Sequence, residues 1–229
     1  MNTDAVILAG GYSSRANAFK MELELNGKPI LQHVIDAFSP VCIRIIVVGG
    51  YQMERLAPLV SKYEEKVTAV YNPDYSKGMF TSVKKGIAEV TGSQFFLTPG
   101  DFPLITTDIC KRILEHRGQI VKPQFHNRGG HPILLPYDCI NEILAEEDDS
   151  NLKLYLDKKQ VLQIEIEDES IVLDVDTPAD YEKVKQLKQQ GLYVQSDAKN
   201  LAWKFENQIM CGTGVRQDGF WNCEWKGLY

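Results

Sequence analysis

The fold turns on the stretch Asp4-Ala5-Val6-Ile7-Leu8-Ala9-Gly10-Gly11-Tyr12-Ser13-Ser14-Arg15, with Lys20 shortly after it. Asp4 to Ala9 is a short apolar run that stops at two glycines, which reads as a buried strand. Glycines in that position let backbone amides approach a ligand closely, and amides in such a turn form a concavity for anions. Arg15 and Lys20 add fixed positive charge beside it. The spacing is neither the six-residue dinucleotide fingerprint nor the P-loop. On these residues alone the turn is either a phosphate cradle or a tight turn flanked by two solvated cations.

Outward from this turn, strands alternate with helices. Pro29 to Phe38 places Ile30, Leu31, Val34, Ile35 and Phe38 on one helical face. Cys42 to Val48 reads as a second buried strand and Gln52 to Lys62 as a helix, although Pro58 falls inside it. Val67 to Tyr71 and Gln94 to Thr98 read as strands, with Met79, Val83, Ile87 and Val90 at helical spacing between them. Thr106 to Glu115 is helical. Ile120 to Pro123 and Ile133 to Leu135 are strand-like, Asp138 to Glu146 and Leu152 to Leu156 helical, and Val161 to Ile166 and Ile171 to Val175 strands. Thr177-Pro178 starts a last helix, with threonine as cap and proline at the first helical position. This order predicts a mostly parallel sheet covered on both faces, a three-layer α/β/α fold. In such sheets ligands bind beyond the carboxyl ends of the strands. Site residues are therefore expected at Gly10 onward, Gly49, Asn72, Gly100 onward and Val175 onward.

The chain has 229 residues, 44% hydrophobic and 24% charged, which excludes disorder and collagen-like repeats. No apolar run is long enough to span a bilayer. Met1 to Asp4 carries neither a basic n-region nor an apolar h-region, so no signal peptide and a cytoplasmic location are expected. The 31 acidic residues outnumber the 25 basic ones, for a net charge of −6, and no basic block stands out, which argues against nucleic-acid binding. The five cysteines are odd in number and unpaired at C-x-x-C spacing. Cys42, Cys110 and Cys139 lie beside branched apolar residues and are expected to be core packing. After Gly191 the composition changes: residues 192–229 hold Trp203, Trp221, Trp225, Cys211 and Cys223, with glycines that break helical periodicity. The chain is thus expected to divide into a domain of residues 1–191 and an extension of residues 192–229, whose aromatic residues pack outside the domain or on a partner.

Several blocks resemble the molybdenum cofactor nucleotidyltransferases, the guanylyl- and cytidylyltransferases of molybdopterin. They are Leu8-Ala9-Gly10-Gly11-x-Ser13-x-Arg15 with Lys20; Leu25-Asn26-Gly27-Lys28-Pro29-Ile30; Asn72-Pro73 with Gly78 to Gly86; Gly100-Asp101-Phe102-Pro103; Gly130-His131-Pro132; and Asp174-Val175-Asp176-Thr177-Pro178. Their order along residues 4 to 190 makes the set far more specific than any one of them. The resemblance implies a Rossmann-like fold and transfer of a nucleotide monophosphate from an NTP to a phosphate acceptor, with pyrophosphate leaving. It implies that Leu8, Ala9, Gly10, Gly11, Arg15, Lys20, Asn72 and Ser82 bind the nucleotide, and that Arg15, Lys20 and Asp101 are catalytic. It places His131 at the acceptor and Mg²⁺ on Asp101 and Asp176, with Asp174 as the alternative second ligand. CTP is expected over GTP, and a molybdopterin-type acceptor over a sugar phosphate.

Other roles stay open for the same residues. Asp101 also reads as a turn former, Asp174 and Asp176 as helix caps, Asn72 as a turn residue, Ser82 as a helix-surface residue, Lys20 as a solvated cation and His131 as a loop histidine satisfied by backbone. The chain also departs from the family pattern. Leu8-Ala9-Gly10-Gly11 is closer to the guanylyl branch, Ala16-Asn17 replaces the usual Met-Gly, and Asp149-Ser150-Asn151 stands where the cytidylyl branch has glycine and arginine. A rival of another class is a non-catalytic nucleotide-binding protein that docks a molybdoenzyme through residues 192–229. Retention of Arg15, Lys20 and Asp101 together argues against it.

Overall fold

The computed structural model describes residues 2–11, 19–147 and 149–191. In chain order the strands are β1 (Thr3–Leu8), β2 (Glu24–Leu25), β3 (Lys28–Pro29), β4 (Arg44–Gly49), β5 (Val67–Tyr71), β6 (Gln94–Pro99), β7 (Ile120–Phe125), β8 (Arg128–Gly129), β9 (Ile133–Pro136) and β10 (Val161–Glu165). The helices are α1 (Ile30–Phe38), α2 (Leu56–Val60), α3 (Met79–Ile87), α4 (Thr107–Leu114), α5 (Cys139–Ala145), α6 (Leu152–Leu156) and α7 (Pro178–Gln189). The main sheet runs β10-β7-β9-β6-β1-β4-β5, with β8 paired to β7, and β2 and β3 form a separate hairpin. β5, β4, β1 and β6 are mutually parallel, as are β7 and β10. β9 runs antiparallel between β6 and β7.

The apolar runs become central strands because each must bury both faces. In β1, Ala5 and Ile7 enter one core and Val6 the other; in β4, Ile45 and Val47 oppose Ile46 and Val48. Side chains that alternate across the sheet therefore feed two separate layers. α1, α2 and α4 cover the first, where Phe38 meets Phe96 with ring centroids 5.3 Å apart. α3, α5 and α6 cover the second. Cys42 and Cys110 are buried in the first layer and Cys139 in the second, as expected of small apolar side chains. A third, smaller cluster joins Leu25 and Ile30 at the β2–β3 hairpin to Leu104, Val175 and Val184, and so seats α7.

Three elements differ from their sequence expectation. The helix expected over Gln52 to Lys62 is broken into a 3-10 turn (Met53–Arg55), the short α2 and another 3-10 turn (Ser61–Tyr63), with Pro58 inside α2. Ile171 to Val175 is no strand. It is a 3-10 turn (Glu169–Val172) and an extended crossing, tied by single bonds from His131 N to Ile171 O and from Val175 N to Asp101 O, both at 2.8–2.9 Å. It lies across strand ends, where no ladder partner is offered. Met79 begins α3 but is 66% exposed, while Phe80, Thr81 and Ser82 after it are buried.

β1 is the pivot of the topology. The chain moves from β1 to β4 and β5 on one side and then to β6 on the other. The crevice at the carboxyl ends of β1, β4 and β6 is therefore the switch point where a ligand is expected. β9 runs against β6, so the segment that enters β9 lies at this same end, and His131 comes with it.

Candidate active site

The glycine turn leaves β1 directly over the end of β4. Ala9 N donates to Val48 O at 2.8 Å. Gly10 lies backbone to backbone on Gly50: a Cβ on Gly10 would come 3.1 Å from Gly50 N, and one on Gly50 would come 3.2 Å from Gly10 O and 2.5 Å from the Tyr75 Cβ. Both glycines are needed for that approach. Gly11 is exposed, with open space where a Cβ would stand. Leu8 ends β1 and lines a cavity. Arg15 lies outside the described residues.

Lys20 opens a 3-10 turn (Lys20–Glu22) after the glycine turn, and it is not a solvated side chain. It is 9% exposed, and its Nζ donates to Asp101 Oδ2 and to Asp176 Oδ1, each at 2.8 Å. Burial alone would depress the ammonium, but Asp101 and Asp176 together outweigh it and hold its pKa above the usual lysine value. Asp101 follows β6 in its Gly-Asp-x-Pro turn. Asp174 and Asp176 arrive on the extended segment that Val175 N fastens to the Asp101 carbonyl. Neither caps α7: Thr177 does, and its amide donates to Asp180 Oδ2 at 2.8 Å in a capping box. The two carboxylates are left facing Asp101.

Oxygen atoms of Asp101, Asp174 and Asp176 all lie within 4.8 Å of one another. Asp101 Oδ1 is buried and has no hydrogen-bond partner among the described residues. Burial and then the neighbouring Asp101 charge push the Asp174 pKa up. An orphaned carboxylate oxygen beside two further carboxylates is a donor set suited to a hard divalent cation, which takes oxygen ligands. The residues present fit such an ion.

Asn72 follows β5 and is 2% exposed. Its Nδ2 donates to Thr81 Oγ1 and Ser82 Oγ, both at 2.9 Å, and its Oδ1 accepts from Asp74 N at 3.0 Å. Asn72 and Ser82 are therefore bonded to each other, and both hydrogens of the carboxamide are engaged in bracing the entry to α3. Gly78, at φ 125°, makes the bend just before it.

His131 packs on Phe102 with ring centroids 4.9 Å apart. Burial pushes its pKa down to about 4, so the ring is neutral near pH 7, and its Nδ1 is buried without a partner among the described residues. A cavity of about 220 Å³ opens beside it, floored by Leu8, Phe80 and Leu97 and rimmed by Met79 and Asn151. A larger cavity of about 500 Å³ lies beside Gly118, Tyr155 and Lys159, at the starts of β7 and β10. Neither the glycine turn nor the aspartates line it, so volume alone does not locate the chemistry.

A model of the MobA-like NTP transferase domain matches residues 5–164. The chain belongs to that family. The match contains the glycine turn, Lys20, Asn72, Asp101 and His131, while Asp174 and Asp176 follow it. The molybdenum cofactor cytidylyltransferase of Escherichia coli is 35% identical over 185 residues, covering 80% of this chain and 95% of that protein. The molybdenum cofactor guanylyltransferase of Vibrio cholerae is 32% identical over 127 residues, covering 54% and 56% of the two chains. A nucleotidyl transferase from Methanothermobacter superposes with a TM-score of 0.72 at 19% identity, over 83% of this chain and 99% of that one. This MobA-like chain is a nucleotidyltransferase with the Rossmann-like fold of its structural neighbours.

Sequence reasoning found Lys20 and the aspartates but not the way they meet. It did not single out Gly50, whose signal was only a second glycine after a strand, as the backbone contact of Gly10.

Proposed function

We propose that this chain transfers CMP from CTP to a molybdopterin-type phosphate acceptor and releases pyrophosphate. The observation that carries this reading is the convergence of Lys20 with Asp101, Asp174 and Asp176 at the switch point of a MobA-like domain. The extent of the match to the Escherichia coli cytidylyltransferase favours CTP and that acceptor class.

An acceptor phosphate oxygen attacks the α-phosphorus, the bond from that phosphorus to the bridging oxygen of the β-phosphate breaks, and pyrophosphate carries away the electron pair. All partners are anions, so the protein's task is positioning and charge neutralisation. The amides of Gly10 and Gly11, with Arg15 and Lys20, hold the triphosphate. Asp101 and Asp176, with Asp174 beside them, would hold Mg²⁺, which would supply charge neutralisation for the phosphates. Lys20, held at Asp101 and Asp176 beside the glycine turn, is the described cation placed to meet the triphosphate. Asn72 and Ser82 set the turn on which base and ribose rest. His131 offers the acceptor a neutral imidazole rather than a charge.

Melting curves with CTP, GTP, ATP and UTP plus Mg²⁺ test the nucleotide, because a ligand that binds the folded state raises the midpoint by mass action. CTP is expected to give the largest shift. Pyrophosphate release from CTP and molybdopterin tests the reaction. A larger shift with GTP moves the reading to the guanylyl branch, and absence of pyrophosphate release with either nucleotide overturns it.

A further inference from the structure

The Phe19–Glu22 segment is fastened on both sides of Lys20, to the connections that follow β6 and β4. On the β6 side, Met21 is 5% exposed and lies over Gly100, where an added Cβ would come 2.9 Å from the Met21 sulfur. On the β4 side stands Arg55. Its Nε donates to Glu22 Oε1 at 2.9 Å, its Nη2 to Glu22 Oε2, and its Nη1 to Gln52 Oε1 at 2.9 Å. Its guanidinium carbon also lies 5.0 Å from the centroid of the buried Phe19 ring. Arg55 thus grips the residue before Lys20 through its ring and the residue two places after it through a two-pronged bond.

Arg55 itself is held at a fixed height. The Met53–Arg55 turn packs on Gly49, where an added Cβ would come 2.2 Å from the Met53 sulfur. It is entered through Gln52 at φ 52°, whose carbonyl accepts the Arg55 amide at 3.0 Å. All of these side chains sit on the connections that leave β1 and β4, next to each other in the sheet.

We infer that Arg55 is a positioning residue for nucleotide binding, acting through Glu22 and Phe19 to hold Lys20 over the aspartates. This rests on the reading of Lys20 as the triphosphate cation. A planar fork that makes two parallel bonds fixes an angle, which a point charge does not, so the function belongs to arginine and not to positive charge in general.

The experiment compares the full chain with Arg55→Ala, Arg55→Lys, Glu22→Ala and Lys20→Ala, and with Arg55→Ala and Lys20→Ala combined. Affinity for CTP and for GTP with Mg²⁺ is measured by calorimetry, and amide exchange over Lys20 to Leu23 by mass spectrometry. Arg55→Ala is expected to weaken nucleotide binding about tenfold, the scale of one lost charge-assisted contact. The melting midpoint should shift by no more than about 3 °C, as for loss of an exposed ion pair in a chain of this size. Glu22→Ala should match it, breaking the same contact from the other side, and it decides the matter should Arg55→Ala misfold. In the Lys20→Ala background the Arg55 change should add nothing, the signature of residues acting as one unit. Effects that multiply, or full recovery in Arg55→Lys, would overturn the inference, since Arg55 would then act directly or by charge alone. Exchange at Lys20 to Leu23 should speed up in Arg55→Ala whether or not nucleotide binds. If the unaltered chain binds neither CTP nor GTP, the proposed function fails, and unchanged exchange in Arg55→Ala separately overturns the positioning role of Arg55.

Discussion

Lys20 Nζ lies 2.8 Å from Asp101 Oδ2, so the cation expected at the phosphates and the carboxylate expected at the metal are partners of each other. Each therefore has two tasks, and substitution should separate them. Asp101→Asn keeps volume and removes charge. Pyrophosphate release should fall by at least about a hundredfold, the scale of one lost electrostatic contact in a transition state. Near-normal release from that variant would remove Asp101 from the reaction.

Lys20→Ala should do more than weaken nucleotide binding. From sequence, Lys20 is expected to be a surface cation for the triphosphate, whose loss leaves the melting midpoint without ligand nearly unchanged. The structure makes that expectation untenable, because Lys20 Nζ holds two carboxylates and its side chain is only 11% exposed. Asp176 is 41% exposed, so solvent screens part of the interaction. The loss of stability should fall between the about 1 kcal/mol of an exposed pair and the about 3–5 kcal/mol of a fully buried one. Mg²⁺ should raise the midpoint of Lys20→Ala more than that of the unaltered chain, as the aspartates gain a counter-ion. Equal shifts in the two would contradict the shared site.

Stability should fall as pH drops from 6.5 toward 4. Burial pushes His131 and His33 down to about 4 from 6.5; the His33 Nε2 also lies 2.9 Å from Leu25 O. For a base with a lowered pKa, the unfolded chain binds the proton first. The stability is fully present above pH 6.5 and is lost as pH falls toward the folded value. Each group is worth up to about 3 kcal/mol over that window, at about 1.4 kcal/mol per pH unit. Urea midpoints between pH 6.5 and 5, above most carboxylate titration, isolate the effect. A flat profile there would mean that neither ring is buried neutral.

Two glycines should separate folding from binding. A Cβ on Gly86 would come 2.5 Å from the Val6 and 2.7 Å from the Val48 side chains, inside the core. Gly86→Ala should cost about 1–3 kcal/mol of stability by overpacking and leave KM for nucleotide near normal. Gly50→Ala meets Tyr75 and the Gly10 carbonyl instead, so it should displace the glycine turn and raise KM as well. Thermal melting and steady-state kinetics on the pair read both quantities.

The central strands were legible because parallel strands buried on both faces are written as unbroken apolar runs, as in Val6-Ile7 and Ile45-Ile46-Val47-Val48. The glycine turn and the Gly-Asp-x-Pro turn were legible because each follows such a run. The Ile171 to Val175 segment was misread because Ile171 and Val172 face the first core layer, and Leu173 and Val175 the third cluster, rather than a neighbouring strand. The Arg55–Glu22 contact spans 33 residues and obeys no periodicity, so nothing local announces it. The fate of Asn72 was hidden likewise: from sequence it is a turn residue or a ligand, and only the fold turns its amide onto Thr81 and Ser82.

Residues 192–229 hold every tryptophan of the chain and lie outside the described residues. α7 ends at Gln189, and Gly191, at φ 70°, follows it. Before that point both sheet faces are covered by helices, and Val184 has joined α7 to Leu25, Ile30, Leu104 and Val175. Asp176, the most C-terminal of the proposed site residues, precedes α7. A chain ending at Gly191 should therefore fold cooperatively and bind the same nucleotide with Mg²⁺, with affinity within about threefold of the full chain, or about 0.7 kcal/mol. Urea unfolding and calorimetry on the shortened chain test this. An insoluble product, or loss of binding in a chain that folds, would make residues 192–229 part of the domain rather than an extension of it.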